Sequence, residues 1–392
     1  MSGEQRYIRF FKDIGIGDVP RVGGKNASLG EMYRELSAQG VRVPNGFAIT
    51  ADAYRYVLER AGAMPKLKEA LAGLDPANVT DLAARARKMR DIVYGAGLPD
   101  DLKDEILAAY RSLQDEYGPT LSLAVRSSAT AEDLPDASFA GMHESFLNVH
   151  GDAQLLDACR RCFASIFTDR AIHYRIDEGF DHFKIALSIG VMKMVRSDLA
   201  ASGVIFTLDT ESGFRDVVFI TGAYGLGENV VQGAVDPDEF YVFKPTFEAG
   251  HKAVLRRVLG GKKVKMVYVE GSSRLATRNI PTSNAERERF CISDADVLTL
   301  ADYAIKVERH YSAKAGKPRP MDLEWAKDGH DGRLYLVQAR PETVASQRRA
   351  NVLETWTIQG GGEVLAKGRA VGEKVVTGNA RVITSVAHLH EF

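Results

Sequence analysis

The stretch MDLEWAKDGHDGRLYLVQARP, residues 321–341, offers two carboxylates, an amide and a guanidinium at spacings that one hairpin would bring together. Its two β-rich runs are joined by Asp-Gly turn chemistry, which predicts an antiparallel pair. Asp322 and Glu324 lie two apart and share one strand face, while Leu323 and Trp325 share the other. Gln338 and Arg340 are related in the same way. With the turn centred near Asp331, Glu324 falls opposite Gln338 and Asp322 opposite Arg340. Oxygen ligands of this kind suit Mg²⁺, which takes one or two protein groups and completes its shell with water and nucleotide phosphates. The same residues also describe a cross-strand ion pair on a sheet surface, worth about 0 to 1 kcal/mol where exposed. The hairpin by itself leaves both readings open.

Two further segments carry phosphate chemistry. In AVRSSATAEDLPDASFAG (124–141), Arg126 stands where an alternating strand gives out and could fork onto phosphate oxygens. The hydroxyls and small residues that follow let backbone lie over a polyphosphate, where a surface loop is the plainer alternative. Phe139 and the β-rich HESFLNVH just after it favour the lid. In RVGGKNASLG (21–30), Lys25 follows two glycines at a helix start. This is not a Walker A loop, because Val19 occupies the required glycine position and Asn26 follows the lysine. It could still bring a cation and backbone N–H groups to a phosphate, or be only a turn.

Other motifs exclude chemistries. GAYGLGEN (222–229) does not fit the dinucleotide fingerprint and reads as a glycine-rich bend beside a cleft. Cys159 and Cys162 form a lone C-x-x-C inside LLDACRRCFASIF, whose apolar period is helical, so they read as core-facing. None of the nine histidines stands in a nucleophile pattern, which leaves a hydrolase triad without support.

The elements that must position these residues follow from the pattern. NASLGEMYRELSAQG (26–40) has Leu29, Met32, Tyr33 and Leu36 on one helical face, with Gly40 as the stop. VRVPNGFAIT reads as a short strand with a Pro-Asn-Gly turn inside it. Residues 52–116 read as helical, broken at Gly62, Pro76 and Gly97-Leu98-Pro99. From about 121 the segments LSLAVRSS, ESFLNVH, ALSIGVMKMV, SGVIFTLDT and RDVVFITGAYGLG read as strands around a helix at 152–170, and another helix spans 285–312. That alternation predicts an α+β core. After Pro341 the polar SQRRANVLETWTIQGGG reads as a linker, and LAKGRAVGEKVVTGNARVITSV as the opening strands of a domain that does not finish. No internal repeat is present.

Composition bounds the rest. Lys+Arg number 51 against 52 Asp+Glu, a formal net charge of -1, so no global field draws in nucleic acid or an anionic membrane and any anion site is local. The longest apolar stretches fall far short of the roughly 20 residues of a membrane span, and MSGEQRYIRFFKD is not a secretory signal. A cytoplasmic protein of two or three domains is the expectation.

Together, GGKNASLGEM, AVRSSATAEDLPDASFAG, CFASIFTDRAIHYR, MVRSDLAASGVIFTLDTESGF, GLGENVVQGAVDPDEFYV and DLEWAKDG with VQARPETV resemble the phosphoenolpyruvate synthase (pyruvate, water dikinase) family, from about residue 7 onward. Pyruvate phosphate dikinase and rifampin phosphotransferase share the shorter motifs, and TLDTESGFRDVVFI and VVQGAVDPDEFYV resemble the synthase specifically. The resemblance implies an ATP-grasp-type nucleotide-binding domain of two subdomains, 1–200 with a helical insertion at about 52–116, and 201–345. A linker at 346–360 and the start of a truncated β-rich swivelling phosphohistidine domain at 361–392 would follow. It implies that Lys25 and Arg126 hold the triphosphate of ATP, and that Gly141 and Ser145 cap it. Glu324 and Gln338 would carry Mg²⁺ with Asp322 and Arg340 in support, and Met192 would lie beside the adenine. The family usually has Gln-x-Met-Val at that strand, where this chain has Met192-Lys193-Met194-Val195, and AGQ where this chain has Ala140-Gly141-Met142-His143. The catalytic histidine and the pyruvate-binding barrel would lie beyond residue 392, and a homodimer is compatible with the full-length family enzyme. A rifampin phosphotransferase-like dikinase and a non-catalytic ATP-sensing module are the alternatives.

Overall fold

The computed structural model describes residues 6–76, 78–130, 144–269, 277–343, 359–366, 377–379 and 381–382, with the backbone alone of 133–134 and 137–138. The chain begins with β1 (Ile8–Phe10), α1 (Val19–Leu36), β2 (Gly46–Ile49), α2 (Ala51–Arg60), α3 (Ala63–Leu71), α4 (Val79–Gly95) and α5 (Asp100–Tyr117). Then come β3 (Leu123–Ala129), the two-residue strands β4 (Asp133–Leu134) and β5 (Ala137–Ser138), β6 (Ser145–Val149), α6 (Gly151–Ala164), α7 (Asp169–Asp177) and β7 (Leu187–Lys193). Strands β1, β2, β7, β3 and β6, in that order, form an antiparallel sheet.

Strand alternation decides which side of this sheet each residue serves. Phe47, Ile49, Leu123, Val125 and Val191 point into one core, built with the helical layer of α2 to α7 around Leu67, Tyr110 and Phe163. Their neighbours Ala48, Ala124 and Met192 point into a second core, shared with α1 and the rest of the molecule. Each large apolar side chain buried this way contributes about 1.5–3 kcal/mol. The predicted helical block survives intact, with its breaks at the expected glycines and prolines.

α1 is kinked where Gly23 takes φ 75°, and a Cβ there would lie 2.3 Å from the Ser128 Oγ. Only glycine allows this approach. Lys25 therefore starts a fresh helical run pressed against β3. The backbone N–H of Asn26 donates to Ser128 Oγ at 3.3 Å, so that one amide is spent inside the fold.

The second half contains β8 (Ala201–Phe206), β9 (Val217–Tyr224), α8 (Glu228–Val231), β10 (Asp238–Phe243), α9 (Lys244–Glu248), β11 (Val254–Val258), β12 (Val264–Tyr268) and β13 (Thr277–Pro281). It ends with α10 (Asn284–Arg287), α11 (Asp294–Ala315), β14 (Met321–Lys327) and β15 (Leu334–Pro341). A six-stranded antiparallel sheet runs β11-β10-β9-β8-β14-β15, and β12 pairs with β13. α11 covers it through Leu300, Ala304 and Val307, started by a capping box of Ser293 and Asp296 and ended by Gly316 in the left-handed region.

Four local expectations change. The Pro-Asn-Gly turn precedes β2 and is not inside it, because Asn45 uses its side chain to accept the Gly46 N–H at 2.8 Å. The helix expected at 152–170 is two, separated by a 3₁₀ turn at Ser165–Phe167 and restarted by the Thr168 cap. The helix expected at 285–312 is the one-turn α10 and the separate α11. Strands β10 to β13 were not anticipated. Of the expected linker and following strands, 346–358, 367–376, 380 and 383–392 lie outside the described residues, while 359–366, 377–379 and 381–382 are in neither helix nor strand.

Candidate functional site

The hairpin of β14 and β15 has the register the sequence predicted, with Asp322 opposite Arg340 and Glu324 opposite Gln338. Beyond Glu324 the register shifts, so that Trp325 pairs with Leu336 and Val337 is the extra residue of a bulge. Trp325, on the apolar face, is 1% exposed and donates from Nε1 to Thr221 O at 3.0 Å, which anchors the strand in the sheet.

Across from this hairpin stands β3, whose Arg126 reaches from the first sheet to the second. Its guanidinium donates to Val337 O at 2.9 Å and to Gln338 Oε1 at 2.8 Å, and meets Glu324 Oε2 at 3.4 Å. The bulge supplies the first of these acceptors. Arg340 donates from Nε to Asp322 Oδ2 at 2.8 Å. Burial pushes the Asp322 carboxyl up from its ordinary value, with Arg340 pulling against it.

A cavity of about 930 Å³ opens between the two sheets. Lys25, Arg126, Ser145, Met192, Glu324, Gln338 and Arg340 all line it, so residues from both halves of the chain converge on one space. Asp322 is not part of the lining and acts on it through Arg340. Ser145 faces Arg126 in the β3–β6 ladder. Gly141 lies outside the described residues.

The glycine-rich bend read from the sequence as standing beside a cleft does line it, and other lining residues had no role assigned from sequence. Leu226, Gly227 and Glu228 bring the glycine-rich bend to the cavity wall, and Ser202 donates to Gly225 O at 2.6 Å beneath it. Arg170, an exposed cation inside the quoted CFASIFTDRAIHYR, also lines the cavity. Lys193 stands 3.2 Å from Asp328 and 3.4 Å from Asp331, with its ammonium 4.7 Å from the Tyr335 ring centre. Burial works against its charge, yet Asp328 and its neighbours win and raise its pKa. Next to the departure at Met192, Lys193 is thus a charged lysine tied to the second half of the chain by Asp328 and Asp331. No single motif would have shown these partners, because each comes from a distant segment.

Cys159 and Cys162 are buried on α6 and burial drives both thiols upward, so they are core groups as expected. Among the described residues, no cluster of three or more His, Cys, Asp or Glu side chains could hold a metal. The oxygen set available is the Glu324 carboxylate and the Gln338 amide. That is too few for a protein-only cage and sufficient for Mg²⁺ that shares its shell with phosphate and water. No described helix is long and apolar enough to cross a membrane.

A cleft lined by Lys25 and Arg126 from one half of the chain and by Glu324, Gln338 and Arg340 from the other is the arrangement of a nucleotide-binding domain. The chain belongs to the family described as "Pyruvate phosphate dikinase, AMP/ATP-binding domain", which matches residues 19–357. It is 50% identical over 394 residues to the phosphoenolpyruvate synthase of Helicobacter pylori and 51% identical over 394 residues to that of Synechocystis. With the phosphoenolpyruvate synthase of Escherichia coli it shares 48% over 392 residues. In each case 99% of this chain is covered but 48% of the relative, so the chain spans about half the length of these proteins.

Proposed function

We propose that this chain is the Mg-ATP-binding part of a phosphoenolpyruvate synthase, handing the β,γ-pyrophosphoryl group of ATP to a histidine carried elsewhere on the protein and releasing AMP. The pyrophosphohistidine would lose phosphate to water, and the phosphohistidine left behind would phosphorylate pyruvate in a separate barrel. The observation that carries this reading is the convergence of Lys25, Arg126, Glu324 and Gln338 on one cavity from segments as far apart as residues 25 and 338. The synthase reading comes from the relatives, which are phosphoenolpyruvate synthases.

In this reading the two sheets are the two subdomains of an ATP-grasp fold, divided near residue 200 and ending near 345, and the protein works in the cytoplasm. Lys25 and Arg126 hold the triphosphate. One pair of unit charges 4 Å apart contributes about 4 kcal/mol at an effective dielectric near 20, before desolvation. With about four negative charges on ATP, two cations therefore decide whether the cleft fills. Glu324 and Gln338 would hold Mg²⁺, which neutralises phosphate charge when bound. Ser145 and Gly141 cap the phosphates, Asp322 keeps Arg340 oriented, and Met192 packs beside the base. Such transfers depend on positioning and charge stabilisation more than on covalent chemistry by the protein. Calorimetry of Mg-ATP with the parent protein and with Arg126→Ala tests the reading. The variant should bind at least about tenfold more weakly, and unchanged affinity would remove Arg126 from the phosphate site.

A further inference from the structure

All three acceptors of the Arg126 guanidinium belong to the β14–β15 hairpin: the Val337 carbonyl, the Gln338 amide oxygen and Glu324 Oε2. Two of these are the side-chain oxygens assigned above to a divalent cation. We propose that Arg126 is a built-in occupant of that metal position, so that a free divalent cation is kept out until nucleotide phosphate draws the guanidinium away. The inference rests on the metal assignment in the proposed function and adds the order of events.

The physical basis is competition for one set of acceptors. A guanidinium hydrogen-bonded to Gln338 and paired with Glu324 Oε2 competes with a dication for those oxygens, because both are positive and the site is only partly open. The Arg126 side chain is 19% exposed and that of Glu324 25%. Arg340 does not compete, since Asp322 holds it one pair further along the hairpin. Phosphate oxygens offer Arg126 the better planar, two-pronged acceptor. Its departure frees the Glu324 and Gln338 oxygens as the phosphates arrive to complete a hexacoordinate shell. The 3.4 Å contact to Glu324 is long for an ion pair, as suits a partner that must be released.

This gives Arg126 opposite effects on two ligands. Losing it weakens nucleotide binding and strengthens binding of metal alone, a sign change that a purely structural arginine would not produce. Mn²⁺ serves as the probe, read by its paramagnetic resonance signal with no nucleotide present. Arg126→Met, which keeps the aliphatic stem, and Arg126→Ala should each bind Mn²⁺ tighter than the parent by up to about fivefold, the scale of one competing ion pair removed. Adding Glu324→Gln to either variant should abolish the gain. Binding no tighter than the parent's, or a gain that survives Glu324→Gln, overturns the proposal. Mg-ATP binding by the parent is measured beside it: failure there removes the nucleotide reading, whichever way the Mn²⁺ titration falls.

Discussion

Two carboxylates of the six-stranded sheet, Asp238 and Glu324, are paired with cations in opposite ways. Asp238, at the head of β10, pairs with Lys262, and both side chains are 0% exposed. Asp238 also accepts the N–H of Gly260 at 2.9 Å and of Cys291 at 2.7 Å, and Lys262 donates to Gly260 O at 2.9 Å. Every partner comes from the second half of the chain, and none lines the cavity between the sheets. Glu324 and Arg126 come from different sheets, are partly exposed and stand 3.4 Å apart on the cavity wall. The sealed pair closes a loop onto the end of a strand. The loose one leaves its oxygens within reach of a ligand, so accessibility and sheet of origin separate the structural pair from the functional one better than charge does.

The largest effect should come from breaking the sealed pair. Lys262→Met leaves Asp238 as a buried charge without its counterion, which destabilises by about 3–5 kcal/mol. Denaturant unfolding checks this, and a loss below about 1 kcal/mol would erase the contrast between the two pairs. The loose pair should behave the other way round. Glu324→Ala should shift unfolding by no more than about 1 kcal/mol, as for an ion pair near solvent, while the Mg²⁺ dependence of nucleotide binding disappears. A variant that still titrates with metal as the parent does would make Glu324 only a partner for Arg126.

A smaller effect sharpens the comparison by lying away from both pairs. His182 accepts from Arg175 Nε at 3.0 Å, and burial, then the Arg175 charge, pushes its pKa from 6.5 down to about 4. Because its folded value is depressed, its contribution to stability is complete above pH 6.5 and is lost progressively as pH falls to about 4. Glu31 adds to acid sensitivity: burial would raise it, but Lys314, the Ile16 N–H and His310 together hold it below its ordinary value. Melting temperature should therefore fall as pH drops through that window, with a shallower slope in His182→Gln. An unchanged slope would place the acid response elsewhere.

Much of this was legible in the primary structure. The hairpin register followed from period-two alternation and Asp-Gly turn chemistry, and the helical block followed from its glycine and proline breaks. The bulge at Val337 was not legible, because a register shift depends on how β14 is held by β8 on its other side. Strands β11 and β13 were missed because their mostly exposed residues give no clean inside–outside alternation. Lys193 received no role from the sequence, since its partners Asp328 and Asp331 lie over a hundred residues away.

Residue types and their spacing determined by themselves which side chains could meet phosphate and metal, because alternation along a strand fixes which neighbours share a face. Only the folded chain decided that Arg126 leaves its own sheet to rest on the oxygens of the other, and that Asp322 works through Arg340. Those outcomes depend on the packing of two sheets around α1, where distances are set by burial and by competition among partners remote in sequence.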